Sequence, residues 1–220
     1  MITDERVFDD AYLPRELMHR TAEVEHLSRV LGPAVDGRIE KVDDVLIHGP
    51  SGVGKTVLAR HTLGRFESET PAYHAHVRCL GRTTTQILRE VLSQHDRVRP
   101  KRFSRNMTVD ELREILLDVV DDPFVVICDE ADGLDTEAFE ALTGIPGLSL
   151  VVVCHAPDRW LARHESIDQR RFATIQLDRY SVDQLADILE ARARAGLVYD
   201  VVRRTQLETI ADRSAGVGRR

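Results

Sequence analysis

The stretch Gly49-Pro50-Ser51-Gly52-Val53-Gly54-Lys55-Thr56 fits the pattern G-x-x-x-x-G-K-[ST]. In that pattern glycines let successive backbone N–H groups close around a polyphosphate at the N-terminus of the following helix. Lys55 is placed to reach the β- and γ-phosphates and the Thr56 hydroxyl to ligate Mg²⁺, while the helix dipole favours the anion. Gly49, Gly52, Val53, Gly54, Lys55, Thr56 and Val57 are therefore the expected contacts for ATP or ADP. The competing reading, a Gly-rich structural turn, requires a chance match with odds of roughly one in a hundred at average composition.

A second stretch, Val125-Val126-Ile127-Cys128, is an apolar run ending in two carboxylates, Asp129 and Glu130. The first carboxylate of such a pair holds Mg²⁺ through water and the second polarises an attacking water. Thr56 and Asp129 are thus the expected metal residues, and Glu130 the expected proton acceptor. A strand ending in a solvated acidic turn is the plainer alternative, because Asp132 and Asp135 follow. Its position roughly 70–80 residues after a phosphate loop argues for the functional reading.

His155 closes the run Leu148 to Cys154 and is placed to position that water, although a lone histidine at a strand end is more often structural. Arg170 and Arg171 follow a predicted helix. A guanidinium there suits charge stabilisation on the nucleotide of a neighbouring subunit, or is simply a surface charge. The expected catalytic set is Lys55, Glu130, His155 and Arg170. The cysteines and histidines lack the paired spacing of a zinc site.

These groups need an α/β scaffold, and the hydrophobic pattern supplies one. Helical spacing runs from Arg15 to Leu31 and is expected to stop at Gly32-Pro33. Val45-Leu46-Ile47 reads as a buried parallel strand, residues 54–66 as a helix, Ala72 to Val77 as a strand and Thr83 to Leu92 as a helix. Thr108 to Val120 is a helix behind a Thr108–Glu111 capping box, followed by the strands at Phe124 to Cys128 and Leu148 to Cys154. A short strand from Ala173 to Leu177 and helices over Val182 to Ala195 and Val201 to Arg213 complete the pattern.

The net charge of −7 gives no global pull toward nucleic acid or anionic membrane. The one strongly basic stretch, Arg97, Arg99, Lys101, Arg102 and Arg105, reads as a solvated loop or as a contact to a DNA backbone. No window is apolar enough to span a membrane and the N-terminus lacks signal-peptide order, so the expected address is cytoplasmic, with or without association with the nucleoid. Cys79, Cys128 and Cys154 each lie in or beside an apolar run, as buried reduced thiols do.

The order of motifs resembles the AAA+ ATPases, and among them the archaeal origin-recognition and cell-division-control type replication initiators. The likeness rests on Val7-Phe8 and Tyr12 through Arg20, the phosphate loop, Asp129-Glu130, Leu177 through Leu185, and Ile188 through Arg192. It implies a P-loop NTPase fold of AAA+ type, with a parallel sheet flanked by helices over residues 1–177. An incomplete helical lid would follow over 178–220, cut off before a winged-helix domain. The resemblance also implies that Tyr12 to Arg20 pack near the adenine, that Tyr180 and Arg192 line the pocket, that Arg170 is an arginine finger, and that Arg219 is the second sensor arginine. Implied partners are origin DNA through the missing domain, a second copy sharing the ATP site, and a replicative helicase. The family carries asparagine where this chain has His155, so slow hydrolysis is expected. The alternatives are a nucleotide switch with little hydrolysis and an AAA+ helper of transposition or defence.

Overall fold

The computed structural model describes residues 2–9, 12–36, 43–67, 73–99, 104, 106–164, 172–199 and 201–214. Five parallel strands form one sheet in the order β2-β3-β4-β1-β5, with β1 at Asp44–His48, β2 at Tyr73–Arg78, β3 at Phe124–Asp129, β4 at Leu148–Cys154 and β5 at Phe172–Gln176. Side chains alternate across a strand, so each strand divides its residues between the two faces. Val45, Ile47, Val125, Ile127, Val151, Val153 and Ile175 pack against helices α1 (Thr21–Val35) and α2 (Lys55–Glu67). Leu46, Ala75, Val77, Val126, Cys128, Leu150 and Val152 face the other way, toward α3 (Thr84–Ser93), α4 (Val109–Val119), α5 (Thr136–Thr143) and α6 (Pro157–Arg163). Every residue of β4 is buried, as a strand covered on both faces requires.

Local signals explain the helix starts. The Thr83–Gln86 and Thr108–Glu111 capping boxes open α3 and α4, and the Asp135 carboxylate caps α5 by accepting from the Ala138 N–H at 2.7 Å. Two expectations shift. The first helix begins at Thr21 and not at Arg15, because His19 turns into left-handed backbone at φ 59° and Arg20 is drawn inward. It also runs through Gly32-Pro33 to Val35, where the Asp36 N–H still donates to Gly32 O at 3.0 Å. The three cysteines are free and buried as expected, with burial pushing the Cys154 thiol up to about 12.

After β5 the chain leaves the sheet for α7 (Val182–Gly196) and α8 (Arg204–Arg213), opened at Ser181 by a capping box with Gln184. Leu185, Ala186, Leu207 and Ala211 form a small cluster of their own between these helices. Arg204 reinforces it by pairing with Asp187 at 2.6 Å and Glu190 at 3.0 Å. Within the basic stretch, Arg97 is neutralised by Asp121 at 2.7 Å and Asp122 at 2.5 Å, and Arg99 is exposed. Lys101, Arg102 and Arg105 lie outside the described residues. Among the described residues no helix is long and apolar enough to cross a membrane.

Candidate nucleotide site

The C-terminal ends of parallel strands lie along one edge of a sheet, and that edge gathers the residues singled out by chemistry. Between β1 and α2 the backbone bends at Gly49, Gly52 and Gly54, with φ of 145°, 76° and 92°. Such values are accessible to glycine at little steric cost. Gly49 is also crowded, since a Cβ there would sit 2.2 Å from the Leu177 carbonyl oxygen. Lys55 Nζ donates to Gly49 O and Pro50 O, both at 2.7 Å, which holds the loop closed around its own lysine. Burial lowers the Lys55 pKa from its ordinary value, and the nearby Asp132 and Asp129 oppose that shift.

Register brings the carboxylates to the loop. Arg78 pairs with Asp129 across β2 and β3, and His48 pairs with Cys154 across β1 and β4, so Asp129 and His155 emerge beside the phosphate loop. The Thr56 hydroxyl donates to Asp129 Oδ1 at 2.9 Å, and His76 Nε2 lies 3.3 Å from Oδ2. Burial alone would push the Asp129 carboxyl up, but the hydrogen bonds from His76 and Thr56 outweigh it and leave the pKa lowered. A hydroxyl beside an ionised carboxylate is a hard-oxygen donor set, and it fits Mg²⁺.

Glu130 adopts left-handed backbone at φ 51° and points its carboxylate at Arg78, with Nε to Oε2 at 2.6 Å and Nη2 to Oε1 at 2.9 Å. This is a two-pronged charge-assisted pair. His155 is held by Asp132, whose Oδ2 accepts from the His155 backbone N–H at 2.9 Å and lies 3.0 Å from Nδ1. Asp132 Oδ1 accepts from the Ala156 N–H at 3.2 Å, and its main-chain carbonyl accepts from Arg163 Nη1 at 2.8 Å.

A cavity of about 620 Å³ opens over this edge. Of the expected residues, Gly52, Gly54, Lys55, Thr56, Val57, Asp129, Glu130, His155, Tyr180 and Arg192 line it. Val53 does not. Its side chain is buried in the core and its carbonyl accepts weakly from Arg20 at 3.4 Å. The remaining wall comes from the segment around Pro14, Leu17 and Met18 and from Ile188 and Leu189 of α7. Arg20 joins these parts. It donates to the Tyr180 hydroxyl at 3.1 Å and Asp178 O at 2.5 Å, and its guanidinium stacks 4.2 Å from the Tyr180 ring centroid.

A family profile described as an AAA ATPase domain matches residues 16–153. ORC1-type DNA replication protein 1 of Halobacterium salinarum is 33% identical over 229 residues, which is all of this chain and 72% of that protein. This chain belongs to the ORC1-type family of AAA ATPases. ORC1-type DNA replication protein 9 of the same organism is 34% identical over 232 residues, and the chain spans 63% of its length. The structure of the Aeropyrum pernix ORC2 protein in its ADPNP-ADP complexes superposes with a TM-score of 0.74 at 26% identity, over 96% of this chain and 61% of that one. These relatives are replication proteins, and they do not favour a transposition or defence helper.

Two residues expected from the ORC1-type resemblance, Arg170 and Arg219, lie outside the described residues. Three others take part at the site without any sequence signal of their own: His76 beside Asp129, Arg78 on Glu130, and Asp132 on His155. The strand ending at Arg78 was legible, but its register against Asp129-Glu130 was not.

Proposed function

We propose that this chain is the nucleotide-binding part of a DNA replication initiator, taking ATP in the 620 Å³ cavity and hydrolysing it to ADP. The observation that carries this reading is the convergence, on one sheet edge, of a glycine-bent loop, a buried lysine and the Thr56–Asp129 pair at 2.9 Å. The loop amides and Lys55 would hold the β- and γ-phosphates. Thr56 and Asp129 would hold Mg²⁺, which when bound neutralises charge on the phosphate oxygens. Glu130 would polarise the attacking water once its carboxylate is free of Arg78. Tyr180 and Arg192 would report nucleotide state to the lid over residues 178–220, and a neighbour's Arg170 and this chain's Arg219 would complete the charge balance. The relatives named as DNA replication proteins support origin DNA as the macromolecular partner, with self-association through the ATP site and helicase recruitment following from the same reading.

The Arg78–Glu130 pair favours a second reading, a nucleotide switch that hydrolyses little until that pair is broken. Glu130→Gln separates binding from chemistry. ATP affinity is expected to stay within a few fold while single-turnover hydrolysis, measured with excess protein and DNA, falls by about 10²-fold or more. Unchanged turnover would remove Glu130 from the mechanism, and absence of ATP binding by the wild-type chain would refute the reading as a whole.

A further inference from the structure

β2 is an edge strand, the first in the order β2-β3-β4-β1-β5, and a side chain closes its open side at one residue. The Gln94 carboxamide, at the end of α3, accepts from the His76 N–H at 2.9 Å and donates to the His76 carbonyl at 3.0 Å. It thereby meets both main-chain groups as a neighbouring strand would. The residue fixed in this way carries the ring that reaches Asp129. His76 and Arg78 stand two positions apart on one face of β2, and each contacts one carboxylate of the Asp129-Glu130 pair. Exposure separates the two contacts. The Arg78 and Glu130 side chains are 63% and 32% exposed, those of His76 and Asp129 31% and 14%, so the contact to Asp129 is the shielded one.

The hydrogen bonds on Asp129 are unequally shared between its oxygens. Oδ1 accepts from the Thr56 hydroxyl at 2.9 Å and from the Glu130 N–H at 3.0 Å, which uses both of its lone pairs. Having given its proton to Oδ1, the Thr56 hydroxyl keeps its own lone pairs for a cation. Oδ2 has only His76 among the described residues, with Nε2 at 3.3 Å. An ionised carboxylate can only accept, so Nε2 carries a proton whichever charge the ring bears. A carboxylate turns readily about its bond to Cβ, so bonds on Oδ1 alone set its plane loosely. The bond on Oδ2 sets that plane, and it leaves Oδ2 one lone pair for a water of a hydrated cation. We propose that His76 is a positioning residue for the metal, acting through Asp129 to fix the free lone pair of Oδ2, with Gln94 fixing the strand that carries the ring. The inference rests on the reading of this site as one for Mg²⁺ and a nucleotide. Groups that orient a metal-holding side chain typically contribute about 10–100-fold to metal affinity. The ring acts on binding of the cation, and the attacking water stays with Glu130.

The test reads metal binding apart from turnover, with ADP and Mn²⁺ on the whole chain. Calorimetry in EDTA gives the ADP affinity without metal, and the electron paramagnetic resonance signal of unbound Mn²⁺ gives the metal affinity of the ADP-loaded chain. His76→Ala, and His76→Phe, which keeps the bulk of a ring without its donor, should each lower that metal affinity by about tenfold. Both should leave the metal-free ADP affinity within about twofold, and either suffices if the other does not fold. His76→Gln, whose amide N–H can donate from near the place of Nε2, should recover most of the loss, and Gln94→Ala should show a smaller loss of the same kind. The sign is diagnostic. A ring acting only as a positive charge would repel the cation, so its removal would raise the metal affinity. Such a rise, an unchanged metal affinity, equal losses of metal and of metal-free ADP binding, or no recovery in a folded His76→Gln chain would each overturn the proposal. If Mn²⁺ binds the ADP-loaded wild type and the His76 variants bind it equally well, this inference alone fails. If ADP binds the wild type and Mn²⁺ adds nothing, the metal reading and this inference fail together.

Discussion

Replacing Gly49 with alanine should cost more stability than any comparable glycine substitution in the loop or in α2, and the reason is visible atom by atom. At φ 145° the position is strained for a side chain, and the added Cβ would meet Leu177 O at 2.2 Å and Leu177 C at 3.2 Å. Backbone atoms cannot rotate away as a side chain can. The strand end must move instead, and it is held by the Leu177 N–H on His48 O at 2.8 Å. A strained φ costs about 1–3 kcal/mol and overpacking about another 1–3 kcal/mol, so the sum is about 2–6 kcal/mol against a typical total of about 5–15 kcal/mol. Gly64 is the internal control. It lies exposed in α2 with nothing within 4 Å of a built Cβ, so alanine there should stabilise by about 0.5–1 kcal/mol. Urea denaturation followed by circular dichroism reads both shifts, at a slope of about 1–3 kcal/mol per molar. A Gly49→Ala midpoint equal to wild type would show that the loop is not braced against Leu177, and would refute this account of why the position is glycine.

Arg78→Ala should free the Glu130 carboxylate. Because Arg78 is 63% exposed the pair is weak, so single-turnover hydrolysis should rise by no more than about fivefold with ATP affinity unchanged; a fall in rate would count against Arg78 as a restraint. Acid sensitivity should trace to His95 and His164, since burial holds both imidazoles below the ordinary value of 6.5. The unfolded chain then takes up protons first as pH falls, so their contribution is complete above 6.5 and is lost below it. His164→Phe removes two buried ring nitrogens that lack partners, among Phe139, Trp160 and Phe172. It should stabilise the fold by about 1 kcal/mol and flatten the decline between pH 7 and 5, and an unaltered slope would exonerate His164.

What could be read from the chain beforehand was whatever lies contiguous within it. Residues 49–56 declare themselves because eight neighbours make one loop, and Asp129-Glu130 because an apolar run delivers them. The capping box of Thr108 with Glu111 is equally local. Arg78, Asp132 and His76 were silent because their partners lie 52, 23 and 53 residues away and are set by strand register and by a turn. The eight residues of α5 are too few for a helical period to stand out. Arg15 to Arg20 show helical spacing but are claimed by a tertiary demand, the insertion of Arg20 between the phosphate loop and Tyr180.

The order β2-β3-β4-β1-β5 also sets a timetable for folding. β1 leaves the ribosome before the strands that flank it, yet it pairs only with β4 and β5, and its Asp44 side chain accepts from the Leu150 N–H 106 residues later. The strand that carries the phosphate loop therefore waits, apolar and unpaired, while β2, β3 and β4 are synthesised. Contacts of such long range form slowly and leave sticky intermediates exposed. The loop meets its brace at Leu177 only when the seam between β1 and β5 is closed, so the geometry of Gly49 is a property of the completed sheet and not of the loop alone.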